Sequence, residues 1–253
     1  MHYSISGNGT AVVLIHGFAE DHSIFSVQTE LLQKKFKVLA VDLPTNKTFD
    51  PTACGDFSME SFGVSINKIL LKENIEKCIM IGHSMGGYVT LAFARLFPKK
   101  LIGLGLMHSN IYKDDEAKIA TRKKAITLME KTGTAPFLKA TFPGLFYNLA
   151  AAKAMIAQLL LVAKKFDVFT LVGYYKAMMQ RQDSTSLIQN LSVPVLFIIG
   201  KHDKIIPFKI SISQSHLAPL SYVYILRDSA HMSMLEECEK TALILQNFCL
   251  AIM

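Results

Sequence analysis

A serine, an aspartate and a histidine, Ser84, Asp203 and His231, are the side chains of this 253-residue chain with the types and surroundings for acyl-transfer chemistry. A serine hydroxyl is a poor nucleophile near neutral pH and needs an adjacent base to take its proton. His231 can serve only if a carboxylate fixes its tautomer and stabilises the imidazolium that forms. Asp203 is the candidate for that carboxylate, and Asp42 is its competitor. Ser84 lies in Gly82-His83-Ser84-Met85-Gly86, a G-x-S-x-G pattern with an apolar run before it and helical spacing after it. On a tight strand-to-helix turn the hydroxyl projects into open space, and the glycines let neighbouring backbone come close. The start of the helix also supplies unpaired amides for a developing oxyanion, with Met85 N–H one donor and Phe18 N–H, after His16-Gly17, the other.

The elements that must position these groups can be read from the hydrophobic pattern. Residues 3–6 read as an edge strand, and 11–15 form a continuous apolar run of the kind buried on both faces of a sheet. Further strands are predicted at 37–41, before the serine, at 101–107, at 193–200 and at 222–226. Helices are predicted from 23 or 24 to 35, from 58 to 74 with Ser58 as its cap, after the serine, at 209–216 and at 236–252. Between 111 and 190 only helical pattern appears, at 114–131, 135–140, 148–165 and 168–180. The expectation is an α/β fold: a doubly wound, mostly parallel sheet in two segments, 1–110 and 191–253, with a helical cap inserted at 111–190. In such sheets ligands bind outside the C-terminal strand ends. That rule gathers Phe18, Ser84, Asp203 and His231 into one crevice.

Composition narrows the function classes. Hydrophobic residues make up 51% and charged ones 19%, as expected of a folded globular protein rather than a disordered one. The net charge of +7 is spread over short groups such as Lys34-Lys35 and Arg122-Lys123-Lys124, without an aromatic-interleaved stripe, so no nucleic-acid partner is expected. A mild attraction for anionic substrates follows from the same charge. The stretch at 149–163 is interrupted by Lys153 and Gln158 and is short for a bilayer, and residues 1–4 do not read as a secretion signal. The expectation is therefore a cytoplasmic protein without a membrane partner, monomeric or homodimeric. Cys54, Cys78, Cys238 and Cys249 have no C-x-x-C or metal-ligand spacing and are expected to be reduced, packed thiols; no metal or cofactor is expected.

Five segments together carry a resemblance: His16-Gly17-Phe18, Asp42-Leu43-Pro44, Gly82 to Gly87, Val193-Pro194-Val195 with Gly200 to Pro207, and Ala230-His231 to Glu236. In this order at strand ends they resemble the α/β-hydrolase fold superfamily over essentially the whole chain, and within it small bacterial carboxylesterases and enol-lactone hydrolases. The resemblance implies Ser84 as nucleophile, Asp203 and His231 as its relay in that chain order, and Phe18 and Met85 as oxyanion donors. A serine at the turn argues against haloalkane dehalogenases and epoxide hydrolases. The chain departs from its relatives at Thr45-Asn46-Lys47, which opens a long polar loop to residue 57 where a glycine-rich turn is usual. It also lacks the tryptophan often found near Phe25.

The function expected is a cofactor-independent serine hydrolase acting on small or medium carboxylic esters. C–C or thioester cleavage by the same residues, and a low-turnover small-molecule receptor, are the alternatives. His16 and His83 are expected to be packed beside the serine turn, and His108 and His202 are given no role. Phe137, Phe142, Phe146, Met155, Met178 and Met179 of the helical segment are the residues available to line an apolar pocket.

Overall fold

A computed structural model of the chain describes residues 1–48, 50, 52 and 56–253. Cys54 and part of the 45–57 loop lie outside the described residues. Seven strands form one sheet: β1 (Tyr3–Ser6), β2 (Ala11–Ile15), β3 (Lys37–Val41), β4 (Cys78–His83), β5 (Leu101–Met107), β6 (Val195–Gly200) and β7 (Ser221–Leu226), in the spatial order β1-β3-β2-β4-β5-β6-β7. β1 pairs antiparallel with β3, and every other pairing is parallel. Every residue of β2, β4 and β6 is buried, which is why these segments read as unbroken apolar runs. β7 closes the other edge and exposes Val223 and Ile225.

Helix α1 (Ser26–Leu32) packs on the terminal α11 (Cys238–Ala251), and α2 (Met59–Lys72) on α3 (Met85–Leu96). Gly103 of β5 abuts Phe248 of α11, whereas Leu106 meets Gly87 of α3. Positions 103 and 106 point to opposite faces of a strand, so the two helix pairs cover the two sides of the sheet. At the start of α2, Ser58 accepts from the Ser61 amide while Ser61 Oγ accepts from the Ser58 amide, a reciprocal cap.

Between β5 and β6 the described residues form only helices and loops: α4 (Glu116–Thr132), α5 (Thr134–Thr141), α6 (Lys153–Ala163), α7 (Val168–Gln180) and α8 (Thr185–Gln189). Asp115 and Asp167 cap α4 and α7 by accepting from the Lys118 and Thr170 amides. The remaining elements are α9 (Phe208–Ser215) and α10 (Ser233–Glu236).

Several boundaries differ from the sequence reading. The helix expected from 23 is a 3-10 turn over His22–Phe25, capped by Asp21, before α1 proper. Residues 148–152 stay outside α6 because Asn148 Oδ1 takes the Ala150 and Ala151 amides, the local competition with helix that asparagine favours. The expected terminal helix is split at Glu237, with φ −126° and ψ 53°, whose carboxylate accepts from Ser229 Oγ instead. No helix among the described residues is long and apolar enough to cross a membrane.

Candidate active site

The parallel register aligns the strand ends. Ile15 lies opposite Gly82, His83 opposite Met107, Met107 opposite Ile198, and Gly200 opposite Leu226. The loops leaving β2, β4, β5, β6 and β7 therefore open on one edge. Among the described non-glycine residues only Ala19, Asn74, Ser84 and His108 have positive φ, and three of these four sit in those loops. Such a conformation costs on the order of 1–3 kcal/mol and persists only where neighbours hold it.

Ser84 has φ 50° and ψ −114°. Its amide donates to the Met107 carbonyl at 2.9 Å, and its own carbonyl accepts from Gly87 N–H at 3.0 Å and Ser109 Oγ at 2.7 Å. Gly82 and Gly86 allow the turn: a Cβ on Gly82 would strike the Gly86 backbone, and one on Gly86 the Ile15 carbonyl. Held this way, Ser84 Oγ lies 2.9 Å from His231 Nε2, and His231 Nδ1 lies 2.7 Å from Asp203 Oδ2. Three residues 28 and 147 positions apart in sequence thus share one hydrogen-bonded line. With Nδ1–H donating to the carboxylate, the neutral imidazole presents its Nε2 lone pair to the serine hydroxyl.

Asp203 is fixed from both sides. Its Oδ1 accepts from the Ile205 and Ile206 amides at 2.8 and 2.9 Å. Burial alone would raise its pKa, but His231, through its charge and hydrogen bond, and the nearby His108 outweigh that and hold the carboxyl well below its ordinary range. His231 is 3% exposed, and its amide donates to the Leu145 carbonyl of the helical segment. Glu236 secures the same loop by taking the Ala230 amide on one oxygen and the Tyr147 amide on the other.

Two buried groups of the site were assigned no role from sequence. Glu20 Oε2 accepts from Gly17 N–H at 2.7 Å and from His83 Nδ1 at 3.0 Å, while His83 Nε2 lies 3.0 Å from the His231 carbonyl oxygen. Both partners of the His83 ring are acceptors, so both nitrogens carry protons when Glu20 is ionised. Burial works against the charged ring, but Glu20 wins and raises the His83 pKa. This buried pair ties the loop bearing Phe18 to the loop bearing His231. The second group is His108, with Nε2 2.7 Å from Ser233 Oγ and Nδ1 3.5 Å from Asp203 Oδ2. The longer contact exceeds a good hydrogen bond, so it is chiefly electrostatic. Burial lowers the His108 pKa to about 4, leaving it neutral near pH 7. His108 lies at a strand end, the one signal that could have found it; nothing in local sequence pointed at Glu20.

The other candidates are placed elsewhere. Asp42 is engaged by His2 Nδ1 at 2.9 Å and His22 Nδ1 at 2.8 Å. His16 is buried with Nδ1 donating to the Gly17 carbonyl and Nε2 accepting from Leu43 N–H, the pattern of a neutral ring whose burial lowers its pKa. His202 stacks on Tyr147 at 3.7 Å. Two groupings among the described residues bring three metal-ligand atoms within 4.8 Å, His2-His22-Asp42 and His108-Asp203-His231. In the first, both ring Nδ1 atoms already face the Asp42 carboxylate, and in the second Asp203 and His231 are bonded to each other.

Above Ser84 lies a cavity of about 260 Å³ whose walls include Phe18, Ser84, Phe142, Tyr175, Met178 and His231. Phe137 also lines it, whereas Phe146, Met155 and Met179 do not. Phe18 stacks on Tyr175 of α7 with ring centres 4.4 Å apart, and Tyr174 donates to the Leu43 and Pro44 carbonyls. Helix α7 thereby braces the loops leaving β2 and β3. Met85 is the first residue of α3, where an N–H has no acceptor within the helix.

Known proteins of similar sequence and shape include several hydrolases. Over 94% of both chains the sequence is 22% identical to the pimeloyl-[acyl-carrier protein] methyl ester esterase of Vibrio cholerae serotype O1. It is also 22% identical to the putative carbamate hydrolase RutD of Acinetobacter baylyi, over 95% of this chain and 93% of that one. A thermophilic esterase from Thermogutta terrifontis superposes with a TM-score of 0.91 at 24% identity, covering 99% of this chain and 93% of the other. The enol-lactonase from Burkholderia xenovorans LB400 does so at 0.87 and 20%, covering 98% and 95%. The family model described as alpha/beta hydrolase fold matches residues 10–171, and the chain belongs to that family.

Proposed function

We propose that the protein is a serine hydrolase that cleaves small or medium carboxylic esters through an acyl-enzyme. The observation that carries this reading is the unbroken line from Ser84 Oγ to His231 Nε2 at 2.9 Å and from His231 Nδ1 to Asp203 Oδ2 at 2.7 Å, at the floor of a cavity. In this reading Ser84 Oγ attacks the ester carbonyl while its proton passes to His231 Nε2. Asp203 holds the imidazole and stabilises the imidazolium. The Phe18 and Met85 amides donate to the oxyanion. As the tetrahedral adduct collapses, the C–O bond to the alcohol breaks and His231 returns the proton to that oxygen. Water, deprotonated by His231, then attacks the acyl carbon and frees Ser84. No cofactor takes part in this sequence.

The helical segment 111–190 serves as a cap in this scheme. Its residues form the cavity's far wall, and its size, below the 300–1,000 Å³ typical of drug-sized ligands, favours a short acyl group. The test is hydrolysis of p-nitrophenyl esters graded by acyl length, with Ser84→Ala alongside. The variant is expected to lose about 10⁴ to 10⁶ in kcat, by analogy with triad deletions. Retention of more than about a tenth of the wild-type rate overturns the nucleophile, since each tenfold corresponds to only about 1.4 kcal/mol. A thioester included in the panel ranks the bond cleaved.

A further inference from the structure

We propose that the preferred ester carries a carboxylate, which Lys118 binds at the cavity wall while the ester carbonyl lies at Ser84; this rests on the ester-hydrolase reading above. Helix α4 turns residues 118, 121, 122 and 125 into the cavity, the spacing of one helical face. Two of these four are cations, Lys118 and Arg122, at i and i+4, where like charges oppose each other.

The counter-charges do not balance. Asp114 accepts from Arg122 Nε at 2.6 Å and from Arg181 Nη1 at 2.9 Å, so one buried carboxylate serves two buried guanidiniums. Lys118 has no carboxylate within ion-pair distance among the described residues, and its Nζ reaches only the Ile205 carbonyl, at 3.4 Å. Glu20, the acid that shares the cavity, is committed to Gly17 and His83. Lys118 and Arg122 thus line the cavity, and the one carboxylate behind them is already shared by Arg122 and Arg181, so Lys118 faces the aromatic and aliphatic surface without a carboxylate of its own.

A half-buried ammonium without an anionic partner is costly in such surroundings. Burial and the Arg122 charge accordingly push its pKa below the ordinary lysine range. An anion entering with the substrate supplies the missing partner. A carboxylate fits because Lys118 acts as a compact point charge with donors to spare.

The experiment compares kcat/KM for four esters under pH-stat: monomethyl glutarate, with the carboxylate on the acyl side; the butyrate ester of glycolate, with it on the alcohol side; neutral methyl butyrate; and cationic butyrylcholine. The wild type is expected to prefer one of the two carboxylate esters to methyl butyrate by about tenfold or more, the scale of one charge-assisted hydrogen bond, and to disfavour butyrylcholine. Whichever carboxylate ester leads identifies the side that faces Lys118. Lys118→Gln should shrink that ratio by about tenfold and Lys118→Arg should preserve it. A wild type that treats charged and neutral esters alike, or a ratio unmoved in Lys118→Gln, overturns the proposal while leaving the hydrolase reading intact. If Ser84→Ala hydrolyses the panel at the wild-type rate, it is the hydrolase reading that falls, and the binding proposal with it.

Discussion

His108 shows how strongly a single buried ring can be constrained by its neighbours. Asp203, His231, His83 and Ser233 surround it, and burial dominates, lowering its pKa from 6.5 to about 4. The sign of the consequence is fixed by linkage. Between these two values the unfolded chain binds a proton that the folded chain refuses, so stability falls as pH drops from 6.5 towards 4. At about 1.4 kcal/mol per unit the loss approaches ~3 kcal/mol. His108→Gln, which keeps a donor and an acceptor, should therefore lose less stability than the wild type between pH 7 and pH 4.5. Denaturant unfolding at the two pH values measures this, and equal losses in both proteins would contradict it. Ser84 is a different residue-scale case, since its φ of 50° stores strain that Met107, Gly87 and Ser109 hold in place.

Individual elements matter here chiefly through where they end. The loop leaving β6 carries Asp203 and the loop leaving β7 carries His231, and the two touch at Gly200, where an added Cβ would run into the Ala230 carbonyl oxygen. Gly200→Ala is expected to cost about 1–3 kcal/mol, as overpacking does, and to reduce kcat by separating acid from base. Gly144→Ala is the matching control, because nothing lies within 4 Å of its added Cβ; it should change stability by less than about 0.5 kcal/mol. Thermal unfolding and ester turnover of the pair check both, and a Gly200→Ala protein as stable and active as Gly144→Ala would refute the argument. Much of this architecture was legible from sequence. Buried parallel strands read as apolar runs, and the rule about their ends assembled Ser84, Asp203 and His231 before any coordinates. Glu20 was not legible, because an acid three residues past a glycine looks like solvated loop until its backbone and histidine partners are seen. The boundaries near 148 and 237 were missed because Asn148 and Glu237 bond locally, against the helical pattern.

At the scale of the molecule, the helical segment is held together by buried charge and meets helix α3 through Arg181 over Tyr88. Asp114 links Arg122 of α4 to Arg181 beyond α7, and Arg181 in turn covers the Tyr88 ring at 4.0 Å and donates to the Tyr112 carbonyl. Asp114→Ala leaves two buried guanidiniums without their carboxylate and should cost about 3–5 kcal/mol. Denaturant unfolding reads this directly, and a cost below about 1 kcal/mol, the value of an exposed pair, would show the network to be superficial.

The central claim is that distant loops meet so that one particular hydroxyl becomes acylated during turnover. Acid-quenching the protein while it hydrolyses a p-nitrophenyl ester, then locating the added acyl mass by peptide mass spectrometry, addresses that claim most directly. The account predicts the acyl group on Ser84 and its absence in Ser84→Ala. An acyl group on another residue, or steady turnover of the ester by Ser84→Ala, would contradict it.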